Sequence, residues 1–297
     1  MKNSKKNFEI DRVNIQANDV ACDITGKDKN VYSYICFSGE NSFLSSASSG
    51  LSVKKDGQQV YSKEFSNEMK NLGEAIYCKG AYFIYNYSPG RILKKLEDSS
   101  EPIVWWDKSP INNFWYRSKN IRLNREENAL IVNLDQTDLI LIEVRDDGAP
   151  GKELTIKNET GSRIDCHEAL GNNKILTVNK KGLLQIYRAD YSEFSKSSLL
   201  KSSQIGLRSD RSESDFWLGV CEKSRICSIH IGGNPTTSRI LIYKIKDETG
   251  KDELSFQTQL DVSNRCYLWN GCFLPYIGEK LFLCCHSSSN KTDYISI

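Results

Sequence analysis

Short apolar runs alternate with tight polar turns along most of this chain. Residues 42–47 turn through Ser48, Ser49 and Gly50 into 51–56; residues 81–87 turn through Ser88, Pro89 and Gly90 into 91–96. Residues 129–134 turn through Asp135, Gln136 and Thr137 into 138–144, and 174–178 turn through 179–182 into 183–187. Two later pairs, 226–231 with 239–245 and 280–285 with 294–297, have longer connections. Gly, Pro, Asn, Asp and Ser fill the turns because they tolerate the backbone angles that hairpins demand. The pattern predicts six hairpins, with a further outer strand at 59–62, 102–105, 153–156 and 254–258. Helical periodicity is nearly absent; its best candidate is a turn or two near Phe65 to Leu72.

Successive second strands stand about 40 to 57 residues apart. Repeats of roughly 40–50 residues made of short strands mark propeller blades. The expectation is an all-β chain, a single β-propeller over 1–297, with blades near 31–65, 74–107, 121–157, 164–203, 216–261 and 266–297. A pair of β-sandwiches is the alternative architecture. The last hairpin has no outer strand after it, and the stretch 8–15 (Phe-Glu-Ile-Asp-Arg-Val-Asn-Ile) reads as a lone strand that completes the last blade. Such closure removes an exposed edge. Six blades is the expected count; seven follows if 192–214 conceals strands.

Two segments carry a family resemblance. Ser49-Gly50-Leu51-Ser52-Val53-Lys54-Lys55-Asp56-Gly57 and Lys181-Gly182-Leu183-Leu184-Gln185-Ile186-Tyr187-Arg188-Ala189-Asp190 resemble the third-strand segment of a WD40 repeat. The departures are substantial: no repeat has the Trp-Asp pair, Lys54, Tyr187 and Tyr243 stand near the Trp position, and no Gly-His pair occurs. The resemblance implies a divergent WD40-like propeller, a fold used for binding other proteins.

Composition narrows the functional classes. With 40 Lys+Arg against 38 Asp+Glu the net charge is +2, which provides no global field for nucleic acid or an anionic membrane. The apolar runs fall short of the ~20 residues a membrane helix needs. The basic start, Met1-Lys-Asn-Ser-Lys-Lys6, leads into Asn7-Phe-Glu-Ile-Asp-Arg12, not into the apolar run of a signal peptide. The ten Cys sit mostly in apolar strand-like runs, where a thiol behaves as a small buried hydrophobe. A chain of 297 residues buries enough surface to need no disulfide framework. A cytoplasmic location is expected, with the nucleus as the alternative.

Candidate chemistry is sparse. Cys166-His167 and Cys285-His286 are adjacent pairs whose side chains point to opposite faces of a strand, so neither pair can hold one metal. Glu126-Glu127 and Asp146-Asp147 read as solvated turns, and no glycine-rich phosphate loop is present. No cofactor, metal or catalytic residue is expected. The expected function is an interaction scaffold, alone or within a complex, that binds a protein partner through one propeller face. Its alternatives are a hydrolase-like site at the channel mouth and an RNA- or DNA-binding surface. The residues assigned to the binding face are Trp115, Arg117, Lys180, Lys181, Arg208, Arg211, Trp217, Arg265 and Trp269, because aromatics and Arg are enriched at hot spots. The competing reading packs the rings, Trp105 and Trp106 among them, between blades. A second candidate surface is 195–214, a Ser- and charge-rich stretch read as an exposed insertion.

Overall fold

The computed structural model describes residues 34–37, 42–47, 50–55, 58–64, 72–86, 90–99, 101–108, 121–133, 137–206, 215–221, 225–232, 239–248, 251–261, 276–277, 280–284 and 292–296. They form antiparallel sheets laid down in chain order. The first sheet contains β1 (Tyr34–Phe37), β2 (Ser42–Ala47), β3 (Gly50–Lys55) and β4 (Gln58–Glu64). The second contains β5 (Leu72–Cys78), β6 (Ala81–Asn86), β7 (Arg91–Leu96) and β8 (Ile103–Asp107). The third contains β9 (Ile121–Leu123), β10 (Ala129–Asn133), β11 (Leu139–Val144) and β12 (Pro150–Ile156). The fourth contains β13 (Ile164–Leu170), β14 (Lys174–Asn179), β15 (Leu183–Ala189) and β16 (Ser197–Gln204). The fifth contains β17 (Asp215–Cys221), β18 (Ile226–Gly232), β19 (Arg239–Glu248) and β20 (Lys251–Asp261). Three further strands, β21 (Tyr276–Ile277), β22 (Lys280–Cys284) and β23 (Thr292–Ser296), make the last described sheet.

Each four-stranded sheet is an up-and-down meander, and its first strand stands next to the first strand of the following sheet: β1 by β5, β5 by β9, β9 by β13, β13 by β17. The fourth strands β12, β16 and β20 are neighbours farther out. Sheets stacked face to face in this way make a β-propeller. Packing is described most fully for the four consecutive blades from β5 to β20.

The cores lie between blades. Phe83, Tyr85 and Ile92 pack against Leu130, Val132 and Ile142; Ile131 and Leu141 pack against Ile175 and Tyr187; Leu176 and Ile186 pack against Leu218 and Ile229. Alternation along β10 sends Leu130 and Val132 toward the preceding blade and Ala129 and Ile131 toward the next. Every position of β6, β10 and β14 is therefore buried, which is why the second strand of each blade reads as an unbroken apolar run.

Local chemistry sets the turns. Cys78 and Ala81 face each other across Lys79 and Gly80, whose φ values of 47° and 73° are those of a tight primed hairpin turn. Between β14 and β15, Gly182 has φ 70°, while Asn179 Oδ1 accepts the Lys181 and Leu183 N–H groups at 3.0 and 2.9 Å. In all five four-stranded sheets the register slips between the third and fourth strands, at Val53/Lys54, Ile92/Leu93, Ile142/Val144, Ile186/Tyr187 and Ile242/Tyr243. A β-bulge thus recurs at this place in each four-stranded sheet.

Two expectations change. Residues 195–214 are not one exposed insertion: Ser197–Gln204 is the fourth strand of its sheet, alternately half-buried and exposed. Its Ser/Lys/Leu pattern hid it, because an outer strand buries only part of one face. Leu72 opens β5, not a helical turn. The closing stretch 8–15 and residues 65–71 lie outside the described residues.

The connection into β16 is tied down by Asp190, whose carboxylate accepts from the Ser192 hydroxyl at 2.7 Å, the Glu193 N–H at 3.1 Å and the Ser195 hydroxyl at 2.9 Å. These bonds hold its carboxyl down at about 2. A depressed folded-state value stabilises above the ordinary carboxylate range and loses that contribution as pH falls through the folded value. Protection of the Ser192 and Glu193 amides, measured against their intrinsic exchange rates, is expected to hold to pH 4 and to be lost toward pH 2. In Asp190→Ala that protection is expected to be absent already at pH 7.

Candidate functional site

Strand order fixes which loops share an end of the propeller. In an up-and-down sheet, the segment entering the first strand and the turn joining the second to the third emerge at the same end. That end holds the β14–β15 turn with Lys180 and Lys181, and the first strands β9, β17 and β21 begin there. Trp115, Arg117, Arg208, Arg211, Arg265 and Trp269 lie outside the described residues.

The three described members of the set differ from one another. Lys181 is exposed at the tip of its turn. Lys180 is held inward: its N–H donates to the Arg163 carbonyl at 2.8 Å, and its ammonium lies 3.1 Å from Asp165, which is 4% exposed. Trp217 is buried at 4% exposure, its ring stacked on His230 with centroids 4.9 Å apart. It is a core ring and not part of an accessible binding face. Its position explains this: Trp217 stands within β17, a first strand, opposite His230 on β18, and both side chains are covered. Trp105 and Trp106 are likewise packed, their indole N–H groups donating to the Gly148 carbonyl at 2.8 Å and to Glu153 at 2.6 Å in the next blade.

One charged constellation escaped the sequence reading. Arg122 on β9 lies between Glu74 on β5 and Glu168 on β13, so three consecutive first strands are joined. Arg122 Nη1 donates to Glu74 Oε2 at 2.9 Å and Nε donates to Glu168 Oε1 at 2.7 Å. Glu74 Oε2 also accepts the Ile121 N–H at 3.3 Å. The side chains of Arg122 and Glu74 are 9% and 1% exposed and that of Glu168 is 17% exposed. Sequence held a signal: the partners are separated by 48 and 46 residues, the blade period, and each is a charge set among apolar residues.

Titratable groups elsewhere among the described residues are packed away or solvated. Cys166 belongs to the core facing the fifth sheet, while His167 points the other way and meets the Ile131 carbonyl at 3.1 Å, as alternation requires. Burial pushes the Cys78 thiol up to about 11, too high for a nucleophile near neutral pH. Glu126, Glu127, Asp146 and Asp147 are exposed turn residues, and Asp146 is lowered by its hydrogen bond from Lys79. No group of three or more His, Cys, Asp or Glu that could hold a metal occurs among the described residues.

No protein-family model and no curated protein matches the chain by sequence. Solved structures do match. The Cps50 (Swd1) β-propeller domain of Myceliophteria thermophila aligns over 86% of this chain and 80% of its own, with a TM-score of 0.60 and 9% identity. Raptor of Chaetomium thermophilum aligns over 91% of this chain and 24% of its own, with a TM-score of 0.61 and 9% identity. The chain folds as a β-propeller. A candidate 6-phosphogluconolactonase from Bacteroides uniformis also matches this propeller, over 89% of this chain and 79% of its own, with a TM-score of 0.59 and 9% identity. At these identities the likeness is one of fold.

Proposed function

We propose that this propeller is a protein-interaction scaffold whose partner docks on the end carrying the β14–β15 turn and the segments that enter the blades. The observation that carries the reading is the Glu74–Arg122–Glu168 relay. There the ionisable side chains of three consecutive first strands converge, and the guanidinium occupies both carboxylates. A hydrolase needs an acid or base left to exchange a proton with substrate, whereas neutralised carboxylates stiffen a wall. The structural likeness to Swd1 and Raptor supports the scaffold reading. The lactonase-like match keeps catalysis as the alternative outcome of the test.

The test starts from a partner recovered from native extract and identified by mass spectrometry. Trp115→Ala and Trp269→Ala are expected to weaken its binding by about thirtyfold each, the cost of truncating a central aromatic anchor. Lys181→Glu is expected to slow association and alter the salt dependence. Unchanged affinity in a folded Trp115→Ala/Trp269→Ala double variant would refute the assignment of this face.

The same proposal includes the ring. Six blades close when 8–15 adds a strand to the sheet of β21, β22 and β23, which is three-stranded among the described residues. Deleting residues 1–16 is then expected to lower Tm by more than about 5 °C or to give insoluble protein. A truncated chain as stable as the full one would rule the closure out.

A further inference from the structure

Five large apolar side chains are exposed among the described residues, and three of them, Leu96, Ile103 and Val104, belong to the hairpin formed by β7 and β8. Their exposures are 50%, 64% and 44%. Scattered single apolar residues are ordinary on a surface, but a local cluster marks an interaction site. Alternation puts Leu96 and Ile103 on one face of this hairpin, the face shared with Lys94, because Lys94 is opposite Ile103. They are diagonal neighbours there, close enough to act as one patch.

The repeat itself shows that the fold does not require this patch. The second register pair beyond the bulge is Lys55 with Gln58, Arg188 with Ser198 and Lys244 with Ser255. Each pairs a basic third-strand residue with a polar fourth-strand residue. In the second sheet the corresponding pair is Lys94 with Ile103, so an isoleucine stands where three other blades place Gln or Ser.

The charges around it point in one direction. The loop joining β7 to β8 carries Glu97, Asp98 and Glu101, all exposed. The ammonium groups of the nearby lysines are both engaged by backbone carbonyls, although Lys94 shares the face of the patch. Lys94 donates to the Gly148 carbonyl of the next blade at 2.7 Å, and Lys95 is fully buried with its ammonium on the Leu96 and Glu97 carbonyls. An apolar spot rimmed by carboxylates repels anionic lipid and nucleic acid and attracts a cationic segment.

We propose that this hairpin, Leu96 to Val104, docks a basic segment of a partner protein that inserts an apolar side chain between Leu96 and Ile103. This surface is separate from the loop-bearing end, since the turn joining third to fourth strands emerges at the opposite end of the blade. The probe is a phage-displayed library of random dodecapeptides selected against the full chain, with enriched sequences then synthesised and titrated by fluorescence anisotropy. Enriched peptides should carry Lys or Arg together with a large apolar residue. Ile103→Ser, which installs the residue used at the matching position of two other blades, should weaken them at least tenfold without moving the thermal midpoint. Asp98→Asn with Glu101→Gln should flatten the salt dependence. The proposal is overturned if nothing enriches, if the peptides are acidic, or if Ile103→Ser binds them equally well. It also falls if the wild-type chain sediments as a dimer and Ile103→Ser as a monomer, since a second copy then covers the patch.

Discussion

Arg122→Met is expected to destabilise the protein by about 3–5 kcal/mol, because it strips the guanidinium from two carboxylates already taken out of water. Glu74, at 1% side-chain exposure, bears most of that cost; Glu168, at 17%, is better able to recover solvent. For a chain of this size such a change corresponds to a fall in Tm of roughly 5–10 °C. Glu168→Gln should therefore cost less than Glu74→Gln, and Arg122→Lys should fall between wild type and Arg122→Met, keeping the charge and losing the fork. The informative comparison is a triple variant with apolar residues at 74, 122 and 168. If the loss in Arg122→Met comes from stranded carboxylates, the triple variant should be more stable than the single one. Thermal denaturation of the series decides this. A single variant with unchanged Tm would mean that water already reaches the relay.

Trp217→Ala is expected to cost a similar 3–5 kcal/mol, the usual penalty for deleting a buried aromatic, with the lost stack on His230 included. Trp217→Phe should retain most of the stability. Any loss of partner binding in Trp217→Ala should follow the unfolded fraction and disappear when binding is measured well below its Tm. Full stability of Trp217→Ala combined with weakened binding would restore Trp217 to the interaction surface.

What could be read from the chain follows from how each strand is buried. Second strands such as Ala81–Asn86 and Lys174–Asn179 are covered on both faces and announce themselves as apolar runs, with Gly90 and Gly182 punctuating the turns that follow. Outer strands were legible where branched and aromatic residues collected, as in Ile103–Asp107, and illegible where serine and lysine took over, as in Ser197–Gln204. First strands were the hardest. Ile121–Leu123 has three residues with an arginine in the middle, and Ile164–Leu170 includes Asp165, His167 and Glu168. Arg122 and Glu168 pair with each other across blades, 46 residues apart, His167 meets the Ile131 carbonyl of the preceding blade and Asp165 meets Lys180 in the following turn, and a local hydropathy pattern has no access to such pairings. The placement of Trp217 failed for a related reason: a tryptophan at the start of a blade reads the same whether it faces the opening or the adjoining sheet.

The bulge repeated between third and fourth strands has a consequence for the behaviour of the protein in a crowded solution. A propeller presents the outer border of every blade to its surroundings, and a straight border would be a template on which another sheet could add and fibres could grow. One extra fourth-strand residue at each slip, Trp105 opposite Ile92/Leu93 and Leu200 opposite Ile186/Tyr187, interrupts the ladder and bends the border there. Such bulges oppose edge-to-edge pairing through the backbone register, independently of which side chains occupy the rim.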